Sequence, residues 1–147
     1  MCLVGKATPD LNLLKRGNGG TFYVPIFRFG ASGNRIDNIT DWSLKQFQQH
    51  YQPGRGKKTQ TITKEDIFHY VYAALHDPVY REKYALNLKR EFPRIPFYGD
   101  SEAAFRQWAA WGAELMAMHI GYESVEPFAI TRTDTPDTCH NGLCHSE

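Results

Sequence analysis

Cysteine is scarce in this 147-residue chain, and most of the usual signatures of catalysis are missing. Its three cysteines are an odd number, and two of them fall in the last nine residues, so they make no disulfide framework. A reducing compartment, the cytoplasm, is the expected setting. No apolar run approaches the roughly 18 residues that a bilayer crossing needs. The N-terminus, MCLVGKATPD, has a single Lys and no long apolar stretch, so it does not read as a secretory signal. Excess charge is absent too. Seventeen Lys and Arg against sixteen Asp and Glu leave a formal net charge of +1, and the chain as a whole cannot act as an electrostatic magnet for nucleic acid. Any such binding has to come from a local patch. There are no internal repeats.

Catalytic motifs are likewise lacking. An adenine-modifying methyltransferase needs an Asn-Pro-Pro-Tyr-like loop to hold and stack a flipped base, and none is present. No Gly-rich turn follows a strand to cradle S-adenosylmethionine. Gly56-Lys57-Lys58 imitates a phosphate loop only in part. The Walker spacing requires glycine at position 51 and serine or threonine at 58, where the chain has Tyr51 and Lys58. His69 and His76, seven apart on one helix, are too widely spaced for a helical zinc pair and lack a third ligand. Packing and helix-end roles suit them better. Cys139, Cys144 and His145 imitate a metal or haem spacing in a tail without folded context.

Aromatic side chains, by contrast, are plentiful: nine Phe, eight Tyr and three Trp. With 41% hydrophobic residues the chain can build a real core, and at this length it forms one domain at most. The clearest pattern runs from Thr61 to Tyr98. Thr63 is a good N-cap with Asp66 at the capping-box position. Ile67, Val71 and Leu75 then recur at helical spacing, with Phe68, Tyr70 and Tyr72 widening the apolar face. Asp77-Pro78 ends one helix, at about 63–76, and starts another at about 78–91, since Pro fits the first helical position. Tyr80, Tyr84 and Leu88 carry the second helix. Phe92-Pro93 and Pro96 force an extended exit.

On either side the pattern weakens. Thr21–Phe29 reads as a strand interrupted by Pro25. Asn38–Tyr51 reads as an amphipathic helix with Ile39, Trp42, Phe47 and Tyr51. A last helix of about 101–121 is capped by Asp100 or Ser101, with Phe105, Trp108, Gly112, Leu115 and His119 near one face. Trp108 and Trp111 have helical spacing that favours core packing, and Met116 and Met118 suit gap-filling. The expected class is α+β, mainly α: four helices with one or two short strands, the partner of the first strand missing. Residues 1–20 are expected to be weakly ordered and 123–147 to form a disordered tail.

The same central stretch resembles a known family. Ile67-Phe68-His69-Tyr70-Val71-Tyr72-Ala73, then His76-Asp77-Pro78-x-Tyr80-Arg81-x-x-Tyr84, then Leu88-Lys89-x-x-Phe92-Pro93-Arg94-Ile95-Pro96, look like the C-terminal specificity region of type ISP restriction–modification enzymes. These are large chains related to the fused adenine-specific methyltransferase–restriction enzymes. Order and spacing match without a gap. Weaker similarity links Thr21–Phe29 to the family's short strand, Asn38–Tyr51 to its next helix, and Phe105–Tyr122 to a later helix that ends in Leu115-x-x-x-His119. The resemblance spans roughly residues 20–127. It implies a DNA target-recognition role, with residues 21–122 as a partial, incomplete specificity domain and the chain as a fragment. The expected partners are duplex DNA and the methyltransferase and helicase domains of a parent enzyme, with no membrane. No enzymatic activity and no cofactor are expected of the chain itself; S-adenosylmethionine, ATP and Mg would serve the parent.

The cationic residues fall into two groups. Arg55, Lys57 and Lys58 sit on a loop. Arg81, Lys83, Lys89, Arg90 and Arg94 belong to the second helix and its exit, with Arg81 and Lys89 eight apart and so able to share a helix side. Each has two readings: a solvated face balanced by Glu82 and Glu91, or phosphate contact that positions without reading sequence. Arg94, between two prolines, has either a salt bridge or a phosphate as its partner. Arg55, Lys57, Lys58, Arg81, Lys89, Arg90 and Arg94 are the candidate DNA-binding residues. The alternative class is a helical protein–protein interaction module that uses exposed aromatics and makes no DNA contact.

Overall fold

A computed structural model describes residues 5, 23–52, 61–126 and 129. The loop with Arg55, Lys57 and Lys58, the Cys139–His145 run, and most of the stretches expected to be weakly ordered lie outside the described residues. A two-stranded antiparallel hairpin comes first, β1 (Phe27–Phe29) and β2 (Arg35–Asp37), in the register Phe27–Asp37, Arg28–Ile36 and Phe29–Arg35. The expectation of a missing partner strand is therefore corrected. The partner lies just across the Gly30–Asn34 turn, where Gly33 adopts φ 78°, a left-handed conformation that glycine takes without cost. Arg-Ile-Asp is too short and polar to announce itself as a strand.

Helix α1 (Asp41–Tyr51) is capped by the Thr40 side chain, which accepts from the Ser43 amide. Helix α2 (Lys64–His76) opens with the full capping box: the Thr63 amide donates to Asp66 Oδ2 at 2.9 Å and the Asp66 amide donates to Thr63 Oγ1 at 3.1 Å. Helix α3 (Pro78–Lys83) starts at Asp77 and Pro78 as expected but ends after six residues. A single 3-10 turn, Asn87–Lys89, replaces its expected continuation to 91. The reason is geometric. A straight helix would place Glu91 about 16 Å beyond Tyr80 at about 1.5 Å per residue, yet Arg94 has to lie against the Tyr80 hydroxyl. Breaking the helix early turns the chain back. Helix α4 (Glu102–Ile120) is capped by Ser101.

The core lies between α1, α2 and α4. It consists of Phe47, Tyr51, Ile62, Ile67, Tyr70, Phe105 and Ala109. The expected Ile67, Tyr70 and Tyr72 are inside, joined by Ala73 and Ala74, whereas the expected Val71 and Leu75 are only half-buried. The small residues explain this, because they admit α4 closely. A Cβ at Gly112 would sit 1.9 Å from the His69 carbonyl oxygen, so only glycine permits the crossing. Successive contacts, Asp66 with Arg106, His69 with Gly112 and Tyr72 with His119, show that α2 and α4 run in the same direction. Phe105, Ala109, Gly112 and Met116 form the buried face of α4, with Trp108 and Leu115 at its flank. Among the described residues, no helix is long and apolar enough to cross a membrane.

Ion pairs tie the helix N-termini together. Lys64 reaches Asp41 at 2.7 Å and Asp37 at 3.1 Å, linking α2 to α1 and to the hairpin. The Lys64 ammonium holds the Asp41 carboxyl below its usual range, by hydrogen bond first and charge second. Arg106 bridges Asp66 at 2.9 Å and Glu102 at 3.2 Å.

Candidate nucleic-acid interface

The exit segment is an extended strap, and tyrosine hydroxyls hold it. Phe92-Pro93 and Pro96 keep residues 92–98 out of any helix. Their backbone polar groups therefore need partners from elsewhere. The Tyr80 hydroxyl donates to the Arg94 carbonyl at 2.9 Å. The Tyr70 hydroxyl donates to the Pro96 carbonyl at 2.8 Å and accepts from the Tyr98 amide at 2.7 Å. The Tyr51 hydroxyl lies 3.0 Å from that of Tyr70 and 3.3 Å from the Tyr98 carbonyl. The Tyr98 hydroxyl in turn donates to Asp77 Oδ2 at 2.7 Å, while Asp77 Oδ1 caps α3 through the Val79 amide at 3.0 Å. One aspartate thus fixes both the start of α3 and the return of the strap. Burial is the main cause that pushes all four hydroxyls above the ordinary tyrosine range; the Asp77 carboxylate adds to it at Tyr98.

This frame presents the α3–turn–strap stretch, residues 78–94, to solvent. Five of its residues are cations (Arg81, Lys83, Lys89, Arg90 and Arg94) and two are acids (Glu82 and Glu91), and all seven are exposed. The other described residues carry five Lys or Arg against ten Asp or Glu. Among the described residues, positive charge is therefore concentrated on this segment. Among the described residues, Arg81, Lys83, Lys89 and Arg90 have no ion-pair partner. Arg94 has Glu91 at 3.6 Å, a long contact made while its own side chain is 92% exposed. Such a pair contributes little and yields readily to a stronger anion. Tyr80, Tyr84, Leu88, Phe92 and Pro93 line a cleft of about 410 Å³ beside these charges, with Arg94 and Glu91 at its edge.

Arg81 and Lys89 are not placed by one helix, because α3 ends between them. They share the patch through the turn instead, which corrects the helical-spacing argument. His76 Nδ1 bonds the Tyr72 carbonyl at 2.8 Å, and the His69 backbone lies under Gly112. Among the described residues, no three His, Cys, Asp or Glu side chains are grouped to hold a metal. The tyrosines are plain in the sequence, but the Tyr51, Tyr70 and Tyr98 hydroxyls join the strap and Asp77 to positions 21 to 47 residues away, which leaves no local signature.

Comparison with known proteins settles the family. The family model of the type ISP C-terminal specificity domain matches residues 1–143. The chain belongs to this family. The match extends past both ends of the region that carries the motif resemblance. Among solved structures, the cryo-EM structure of a DrdV–DNA complex is similar at 57% identity and a TM-score of 0.61, over 78% of this chain. The present chain spans only 11% of that DrdV chain. No curated protein matches.

Proposed function

We infer that this specificity domain is the DNA target-recognition module of a type ISP-like restriction–modification enzyme, and that residues 78–94 hold the duplex backbone. The five exposed cations of this segment, the main basic cluster among the described residues, carry the reading, and the DrdV–DNA complex at 57% identity supports it. Arg81, Lys89, Arg90 and Arg94 contact phosphates, with Lys83 beside them in sequence and Arg55, Lys57 and Lys58 as further contacts. These contacts set register and orientation and carry no sequence information themselves. The strap makes Arg94 effective, because a guanidinium on a stiff backbone loses less freedom on binding.

In this reading the chain does no chemistry. S-adenosylmethionine, ATP and Mg belong to the methyltransferase and helicase–nuclease parts of the parent enzyme, which acts in the cytoplasm and which this module positions on its target. A fluorescent duplex titrated with the purified chain at several KCl concentrations tests the reading. Binding should weaken steeply with salt as counterions are released. Salt-insensitive binding, or none at low salt, would contradict it.

A further inference from the structure

Helix α4 carries two apolar stripes, and among the described residues only the first is buried against α2. Phe105, Ala109, Gly112 and Met116 face α2. A second stripe begins at Trp108 and continues through Trp111, Leu115 and Met118, at spacings of three, four and three that keep it on one side of a helix. Tyr122 extends it beyond the helix end. Trp111 is 49% exposed, Met118 53% and Tyr122 68%. Trp111 is also held from behind. The edge of Trp108 meets it at 5.4 Å, and Trp108 itself stacks on Tyr98 at 4.1 Å and 10°. A ring braced this way loses little freedom on docking, and Trp and Tyr are the side chains that dominate the centres of protein contacts.

Charge indicates what covers this face. From Gln107 to Glu126 there is no Lys or Arg; Glu114, Glu123 and Glu126 supply the fixed charges. Duplex DNA would meet carboxylates with no cation to offset them. A protein surface with an apolar centre and a Lys or Arg rim complements it. Such a surface has an available source, because this chain corresponds to only 11% of the DrdV chain it resembles. We propose that the Trp111–Leu115–Met118–Tyr122 stripe is the face that seats the specificity domain on the remainder of a type ISP enzyme, against an apolar, basic-rimmed protein surface. This contact is separate from the phosphate contacts and does not depend on them.

The test uses Met118 as the reporter. The isolated 147-residue chain is compared with a DrdV chimera in which this chain replaces the matching segment; DNA binding by the chimera verifies its fold. Hydrogen peroxide oxidation of Met118, read by peptide mass spectrometry, should be fast in the isolated chain and at least tenfold slower in the chimera. Trp111→Ser should restore fast oxidation in the chimera while leaving the melting temperature and duplex affinity of the isolated chain unchanged. Equal oxidation rates in the two proteins would overturn the proposal. So would a tenfold loss of duplex affinity in the isolated Trp111→Ser chain, which would make the stripe a DNA contact. A dimer by light scattering that Trp111→Ser converts to monomer would make the occupant a second copy.

Discussion

Replacing Tyr70 by Phe removes one oxygen atom and tests whether tyrosine hydroxyls hold the strap. The ring stays, and with it the stack on Phe105 at 5.3 Å and 20°. The hydrophobic contribution is therefore nearly unchanged. What disappears is the donor to the Pro96 carbonyl, the acceptor for the Tyr98 amide and the neighbour of the Tyr51 hydroxyl. An amide left unsatisfied away from water costs about 1–3 kcal/mol, and a lost hydrogen bond to a carbonyl about 1 kcal/mol. The expected loss is about 2–4 kcal/mol, read as the shift in urea midpoint at constant slope. Tyr51→Phe is the control. Its hydroxyl makes a longer 3.3 Å contact with the Tyr98 carbonyl, so about 1 kcal/mol should be lost. The two changes share partners, so the double variant should lose less than the sum. A Tyr70→Phe loss below about 0.5 kcal/mol would refute the strap argument.

Other expectations follow from the same structure. Gly112→Ala should destabilise the chain by about 1–3 kcal/mol or more through overpacking against His69, even though alanine is the better helix former by about 1 kcal/mol; a rise in melting temperature would contradict the close crossing. Thr63→Ala should cost about 1 kcal/mol by removing the α2 cap, measurable by chemical denaturation. In alkaline solution the raised hydroxyls of Tyr51, Tyr70, Tyr80 and Tyr98 matter. Above about pH 10 the unfolded chain releases protons that the folded chain retains, so this contribution to stability is complete below pH 10 and is lost as pH rises past it. Urea midpoints should fall from pH 10 to 11.5, less steeply in Tyr70→Phe.

Much of this scaffold was legible because it is written locally. Thr63 with Asp66, and Asp77 with Pro78, fix helix starts through side chains two or three residues away, and sequence alone contains that information. The length of α3 was not legible. Leu86, Leu88 and Ala85 are good helix formers, and the helix ends because Arg94 must return to Tyr80, a constraint between distant positions. The burial of Ala73 and Ala74 ahead of the larger Val71 and Leu75 has the same origin, because these small residues and Gly112 let two helices approach. The short β2 strand carries too little pattern to be read without its partner. The candidate cations were visible by type and by their nearness in sequence, and the fold adds that Arg81, Lys83, Lys89, Arg90 and Arg94 are all exposed. Lys83, half of a cation–π pair with Tyr84 at 5.4 Å, joins them for that reason.

The central claim is that residues 78–94 hold DNA phosphates. It is tested most directly by the salt dependence of duplex binding in a chain carrying Arg81→Gln, Lys89→Gln, Arg90→Gln and Arg94→Gln. All four side chains are exposed, so the fold should survive, as circular dichroism would verify. Each phosphate contact contributes about 0.9 to the slope of log affinity against log salt, so the variant's slope should be shallower by about 3 to 4. A slope equal to that of the native chain would place the DNA contact elsewhere.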